Sequence, residues 1–430
     1  MDPIDKELKE GLTNGPFGHQ DGFSDSLRKR IERRIEEKVK PRRSRMPWFA
    51  GTCVVLAAAA CLLVGDWQSL LPHQAMNTAA ETAQPIADIQ YYADDQQAVP
   101  LQSALLIGLR TDQQSPQIGE QFSTYRTLLI APEQNRLQTI AEGSGILMPY
   151  KMSFWKIVNE RRESAHEETR TLSAYLTSNS KTATRQLVAP PVKPLTQSEK
   201  LLFAGNRYMA VEQTLNDRST KEAASKYEYV WVKELGQITG RDKLTMAPLR
   251  EPHVTLRSIY GADTADPAMR KLQPALPVQP GEPASRTAAA AAADTAGESW
   301  TITRKQGQWV PQVADYSAQP SSKEHRYELK DFPASLPESV VSHDRLVAGW
   351  QEIKRLRPSA NDAFSSPTED MVAVVSERDV VIYPYQNRLI ASPLLSFNLG
   401  RNESVVMVQW AVGDYVEQWK QQAKMYLDNE

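Results

Sequence analysis

The sequence predicts an α+β protein: one transmembrane helix, then a strand-dominated extracytoplasmic domain that ends in an amphipathic helix. Three observations carry that expectation. Residues 46–65, MPWFAGTCVVLAAAACLLVG, run for twenty positions without a charge, the length a helix needs to cross the roughly 30 Å hydrocarbon core of a bilayer. Beyond residue 100 the apolar residues come in short runs, rich in β-branched and aromatic side chains and separated by turn formers, which is how strands read. Toward the end of the chain Val412, Tyr415, Val416, Trp419, Ala423 and Tyr426 instead recur at helical spacing, the pattern of one apolar helix face.

Residues 1–45 form a basic arm. Its first part, EGLTNGPFGHQDG, holds too many Gly, Asn and Pro residues for continuous helix. From Ser24 the pattern changes: Leu27, Ile31, Ile35 and Val39 recur every four residues, which predicts a charged helix over 24–40 with one narrow apolar stripe, closed by Pro41. Residues 28–45 carry ten Lys/Arg against three Glu, whereas 66–109 contain no Lys or Arg. The positive-inside rule therefore places the arm in the cytoplasm and the C-terminal bulk outside the plasma membrane. Forty-five residues cannot bury a core of their own. The stripe then has two readings. One is a juxtamembrane helix against anionic lipid headgroups, at about 1 kcal/mol per basic residue. The other is a docking helix for a cytoplasmic regulatory protein, with Leu27, Ile31, Ile35 and Val39 as partner-binding residues.

The span reads as an uncleaved anchor. Forty-five residues precede it, and its apolar run exceeds the 7–15 residues typical of a secretory h-region. Ala58-Ala59-Ala60-Cys61 lacks the leucine of a lipoprotein cleavage site, and Leu62-Leu63-Val64 prolong the run. Trp48 and Trp67 stand at its two ends as interfacial anchors. Residues 66–100, polar and rich in Gln and Ala, read as a tether.

The net charge of −2 conceals a split, since residues 1–65 hold twelve Lys/Arg against nine Asp/Glu and the remainder is acidic. Nothing outside resembles a nucleic-acid footprint. Both cysteines, Cys53 and Cys61, lie in the span, so the outer part must be held without disulfides. It divides into 101–272, a Pro/Ala-rich stretch at 273–298 that is a linker or an inserted loop, and 299–430.

Strands are predicted at 126–130, 145–148 with 154–158, and 227–232. LLFAGNRYMAV (201–211) and WTITRKQGQWV (300–310) read as hairpins, turning at Gly-Asn and Gln-Gly. Residues 344–356 predict a short helix with Asp344 in its first turn. MVAVVSERDVVIYPY (371–385) predicts two strands around Glu377-Arg378-Asp379, and SVVMVQWAV (404–412) another. Trp410 and Trp419, bracketing the last strand and helix, are expected to pack together.

Three segments, GSGILMPYKMSFWKI, LLFAGNRYMAVE and FNLGRNESVVMVQWAVGDYVEQWK, resemble uncharacterised single-pass membrane proteins of Gram-positive, spore-forming bacteria that carry a large extracytoplasmic domain. The resemblance implies a bacterial cell envelope and a soluble outer domain, over about half of the outer part. The layout of basic arm, single span and large outer domain is also similar to membrane anti-sigma factors. Their zinc-bearing subgroup carries His-x-x-x-Cys-x-x-Cys in the arm; here the arm has His19 and no cysteine, so only the layout is shared.

No catalytic constellation emerges. The histidines beyond the arm, His73, His166, His253, His325 and His343, are scattered and never form His-Glu-x-x-His. Ser144, between Gly143 and Gly145, lacks the Gly-x-Ser-x-Gly spacing of a nucleophile elbow and reads as a turn before a strand. Asp94-Asp95 and Glu369-Asp370 fall in loops, where exposure is the default. The tryptophans read chiefly as core, with stacking on wall sugars as the alternative. No cofactor or metal is expected. The reading is therefore a non-enzymatic extracytoplasmic sensor or interaction protein with a cell-wall or protein ligand outside. A membrane-tethered envelope enzyme and a passive envelope component are the alternatives.

Overall fold

A computed structural model describes residues 90–91, 101–114, 121–163, 167–178, 186–187, 195–217, 225–238, 243–244, 252–275, 297–317 and 324–427. The arm stripe Leu27, Ile31, Ile35 and Val39, the span 46–65, nearly all of the tether and most of 273–298 lie outside the described residues. Within them, no helix is long and apolar enough to cross a membrane.

The chain is strand-dominated, as the sequence predicts. A short β1 (Gln90–Tyr91) precedes β2 (Ser103–Gln114), β3 (Gln121–Glu133) and β4 (Arg136–Ser144). Next come β5 (Ile146–Tyr150), β6 (Ser153–Glu163), β7 (Glu167–Leu176) and β8 (Gln186–Leu187). The hairpin β9 (Leu195–Gly205) and β10 (Tyr208–Asp217) leads to β11 (Ser225–Glu234) and β12 (Lys243–Leu244). Two short helices, α1 (Leu256–Tyr260) and α2 (Ala262–Leu272), precede β13 (Trp300–Lys305), β14 (Gln308–Asp315), β15 (Glu324–His325) and β16 (Glu328–Asp331). Then follow α3 (Trp350–Leu356), β17 (Asp362–Ser365), β18 (Met371–Val375), β19 (Asp379–Pro384), β20 (Leu395–Asn398), β21 (Glu403–Val412) and α4 (Asp414–Leu427).

These strands form a four-stranded sheet (β21-β2-β3-β4), a seven-stranded one (β15-β11-β10-β9-β7-β6-β5), a five-stranded one (β1-β20-β19-β18-β17), a three-stranded one (β13-β14-β16) and the pair β12-β8. The central sheet is the four-stranded one, buried on both faces. Along β2, Leu105, Ile107 and Leu109 enter one apolar cluster while Ala104 and Leu106 enter another. A strand covered on both sides has no polar face to show, which is why SALLIGL reads as an unbroken apolar run rather than an alternation. The same holds for β18: Met371, Ala373 and Val375 point to the large cluster, Val372 and Val374 to a smaller one under α3. The large cluster draws on Leu105 and Phe203 as well as Trp300 and Phe397, so the stretches before and after 273–298 share apolar packing.

Both predicted hairpins form, turning at Asn206-Arg207 and at Gln306-Gly307 with positive φ at Asn206, Gln306 and Gly307. Ser144 ends β4, and Gly145, at φ +79°, makes the turn into β5. Residues 163–200 are polar in composition yet contain β7, whose Thr169, Thr171 and Ser173 are buried. β-Branched threonine suits a pleated strand as well as valine does.

Three expectations are corrected. Residues 344–349 are not helical; the helix begins at Trp350. Tertiary bonds hold this strap away from helix: Asp344 accepts the Trp309 N–H at 2.7 Å, His343 Nε2 lies 3.0 Å from the Ser365 carbonyl, and the Val347 N–H donates to Ser365 Oγ at 3.0 Å. The C-terminal helix buries Val416, Trp419, Ala423 and Leu427. Val412 belongs instead to β21, cut off by Gly413 at φ +58°, and Tyr415 faces solvent. Trp410 and Trp419 do not meet, because Trp410 packs on the large cluster and Trp419 on the other side of the sheet, edge-on to Phe154 at 5.8 Å. The tryptophans otherwise serve the core: Trp231, Trp300, Trp309 and Trp419 are all buried.

α4 docks where β4 has no side chain. A Cβ placed on Gly143 would lie 2.3 Å from the Leu427 carbonyl oxygen, closer than any real contact, and backbone cannot swing aside as a side chain can. Gly143→Ala is expected to lift the last turn of α4 and cost about 1–3 kcal/mol. The check is limited proteolysis followed by mass spectrometry: cleavage within 414–427 should rise first, and an unchanged digest would contradict this packing.

Candidate functional site

Among the described residues, an open cleft with a volume of about 900 Å³ lies between two turns. One lip is the β18–β19 turn, Ser376–Asp379. The other is the turn Leu399–Glu403 that leads into β21. Each turn is fixed from within. The Arg378 and Asp379 N–H groups donate to Ser376 Oγ at 3.2 and 3.3 Å, and the Ser376 hydroxyl in turn donates to Asp379, which also pairs with Arg357. In the second turn the Glu403 N–H donates to the Gly400 carbonyl at 3.1 Å, with Asn402 at φ +59°. The lips are joined by a bond of 2.7 Å from the Leu399 N–H to the Arg378 carbonyl.

Glu403 organises the second lip from beneath. Its side chain is only 2% exposed. Its carboxylate accepts from Arg126 Nε and Nη2, each at 2.7 Å, from the Gly400 N–H at 2.7 Å and from Thr111 Oγ1 at 3.2 Å. Burial works against the charge, but the Arg126 guanidinium and the Gly400 N–H outweigh it and hold the carboxyl below its usual range. Arg126 also reaches Glu142 at 2.5 Å and the Asn398 carbonyl at 3.3 Å, so β3, β4 and the turn converge on one cation.

Arg304 forms the base of the cleft. It donates to Asp362 at 2.7 Å, to Asp344 at 3.0 Å and to the Ala363 carbonyl at 2.6 Å, between the rings of Trp309 and Phe364 at 5.1 and 5.5 Å. Asp344 is pushed up to about 6 by burial, against the pull of Arg304 and the Trp309 N–H. Its folded form therefore holds a proton between about pH 4 and 6 that the unfolded chain has released. Stability from this group is full below about pH 4 and is lost progressively as pH rises from 4 through 6, by at most about 3 kcal/mol in all. Asp344→Asn is expected to raise the denaturation midpoint most at pH 7, by about half as much at pH 5, and not at all below about pH 4; a midpoint lowered equally at every pH would refute the assignment.

With those pairs made, the cleft keeps a remainder. Asp362 and Glu403 are neutralised by Arg304 and Arg126. Arg378 and Arg401 are exposed at the turn tips and have no acidic partner among the described residues; Glu377, also exposed, has no basic one. Guanidinium forks free of internal partners are suited to oxyanions. By contrast, a groove of about 560 Å³ beside β3 and β6 has its Arg170 engaged over the Phe122 ring at 4.8 Å.

Described histidines do not converge. His253 lies 4.9 Å from the Trp231 ring and 3.7 Å from Glu298, His325 stacks on Tyr227 at 4.4 Å, and His343 belongs to the strap, its pKa lowered by burial. Among the described residues no three His, Cys, Asp or Glu side chains are grouped for a metal ion. Asp370, expected to be exposed, is buried instead and ties Gln102 and Ser103 to the 366–371 turn. The residues of the cleft were not singled out from sequence. The signal available was the turn run Gly400-Arg401-Asn402 before β21, together with Arg378 in a turn already recognised. No family model matches the chain, and no curated protein matches it.

Proposed function

We propose that the chain is a membrane-anchored extracytoplasmic sensor or interaction protein, non-enzymatic, that takes its ligand in the arginine-lipped cleft. The observation that carries this reading is the contrast within the cleft. Its buried charges are matched in pairs, while Arg378 and Arg401 are held on bonded turns with no acidic partner among the described residues. The uncharged run 46–65 behind a basic flank supports single-pass anchoring with the N-terminus cytoplasmic. The arm residues Leu27, Ile31, Ile35 and Val39 are the proposed contact for a cytoplasmic regulatory protein.

Topology and signalling are tested separately. Protease added to intact cells should digest residues 100–430 and spare the arm; a C-terminal bulk that survives while a cytosolic label reaches it would overturn the anchoring. Cross-linking of the full chain in cells should recover a cytoplasmic protein that is lost when Leu27, Ile31, Ile35 and Val39 are all replaced by Ser. Equal recovery from both chains would remove the arm from the proposal.

A further inference from the structure

The geometry points to a phosphate group, free or esterified, as what Arg378 and Arg401 grip in the cleft; this deepens the ligand-binding reading above and rests on it. The turns that carry the two arginines are joined before any ligand arrives, and both arginines line the same cleft. One stands on a turn locked by Ser376, Asp379 and Arg357, the other on a turn locked by Glu403 and Arg126, and the Leu399 N–H to Arg378 carbonyl bond joins the two. Prior ordering of the two turns removes the backbone part of the ordering cost on binding, leaving only that of the two side chains. Each fork presents paired N–H donors, and a carboxylate's two oxygens are satisfied by a single fork. A phosphate monoester, with three terminal oxygens and nearly two charges, has acceptors for both. Asn402 and Ser404 line the same wall and add neutral donors.

The cleft also limits what else fits. Glu377 sits on the same lip as Arg378 with no basic partner among the described residues, so a continuous polyanion would run its charges past a carboxylate. A single phosphate placed between the arginines avoids that repulsion. With about 900 Å³ of open space, the cleft has room for whatever the phosphate is attached to.

The experiment is titration calorimetry on the purified full chain in detergent, with inorganic phosphate, glycerol 3-phosphate and citrate at matched ionic strength. Saturable binding is expected for the first two. Arg378→Gln and Arg401→Gln should each weaken it by about tenfold or more, Glu377→Gln should tighten it, and Arg355→Gln, an exposed arginine on α3, should leave it unchanged. Tighter binding of glycerol 3-phosphate than of inorganic phosphate would assign an ester; equal binding would assign free phosphate. Citrate binding as well as phosphate, or a double Arg378→Gln/Arg401→Gln variant binding like the parent, would overturn the inference. Neither outcome would touch the protease-accessibility result, so the ligand class and the anchored topology fail independently.

Discussion

Asp370→Ala is expected to be among the most destabilising single substitutions outside the apolar core, at about 3–5 kcal/mol. One carboxylate oxygen accepts the backbone N–H of Gln102 at 2.6 Å and of Ser103 at 3.0 Å, and the other takes the Ser366 hydroxyl at 2.5 Å. Asp370 and Ser103 are both buried, so truncation strands donors that water cannot reach. The loss falls where the chain enters β2, which lends its two neighbours in the sheet their register. Urea denaturation gives the test: the midpoint should drop sharply for Ala and less for Asn, which keeps an acceptor oxygen. A drop of under about 1 kcal/mol for Ala would show that the segment is held by something else.

Arg126→Met should cost about 3–5 kcal/mol by leaving Glu403 charged and nearly enclosed. Burial of Glu403 is tolerated only because the guanidinium meets both oxygens. Arg126→Met combined with Glu403→Met should recover most of that loss, since two apolar side chains of similar length need no partner. A double-mutant cycle on the denaturation midpoints reads the coupling directly. If the double variant were as weak as the single one, the pair would be structural packing and not an electrostatic clasp. Because the pair also fixes the turn bearing Arg401, phosphate binding should weaken in the single variant even where folding is retained.

How much of this was legible beforehand depends on the range of the interactions. Hairpins at 201–211 and 300–310 announce themselves through a turn pair flanked by apolar residues, because strand and partner are neighbours in sequence. The C-terminal helix is visible in its spacing, but period alone extends its buried side to Val412 and Tyr415; Gly413 at φ +58° resets the phase. What failed to show was everything decided at a distance. Asp370 next to Glu369 reads as a solvated loop pair, yet the backbone N–H groups it accepts lie more than 260 positions earlier. The Asp344 strap has a helical sequence pattern that its hydrogen bonds to β14 and β17 override. The cleft is likewise invisible in sequence, since Arg378 and Arg401 are ordinary turn residues until the Leu399–Arg378 bond brings their turns side by side.

The antiparallel pairing of Ser103–Thr111 with Glu403–Val412 has a consequence for biogenesis. The strand that enters first waits for one made some three hundred residues later, so a nascent chain has no way to complete its central sheet during synthesis. Long loop closure of this kind slows folding and leaves the apolar half of β2, Ala104–Leu109, without its β21 partner meanwhile. A polypeptide delivered through a membrane in this order would depend on holding chaperones on the far side until its final helix emerged.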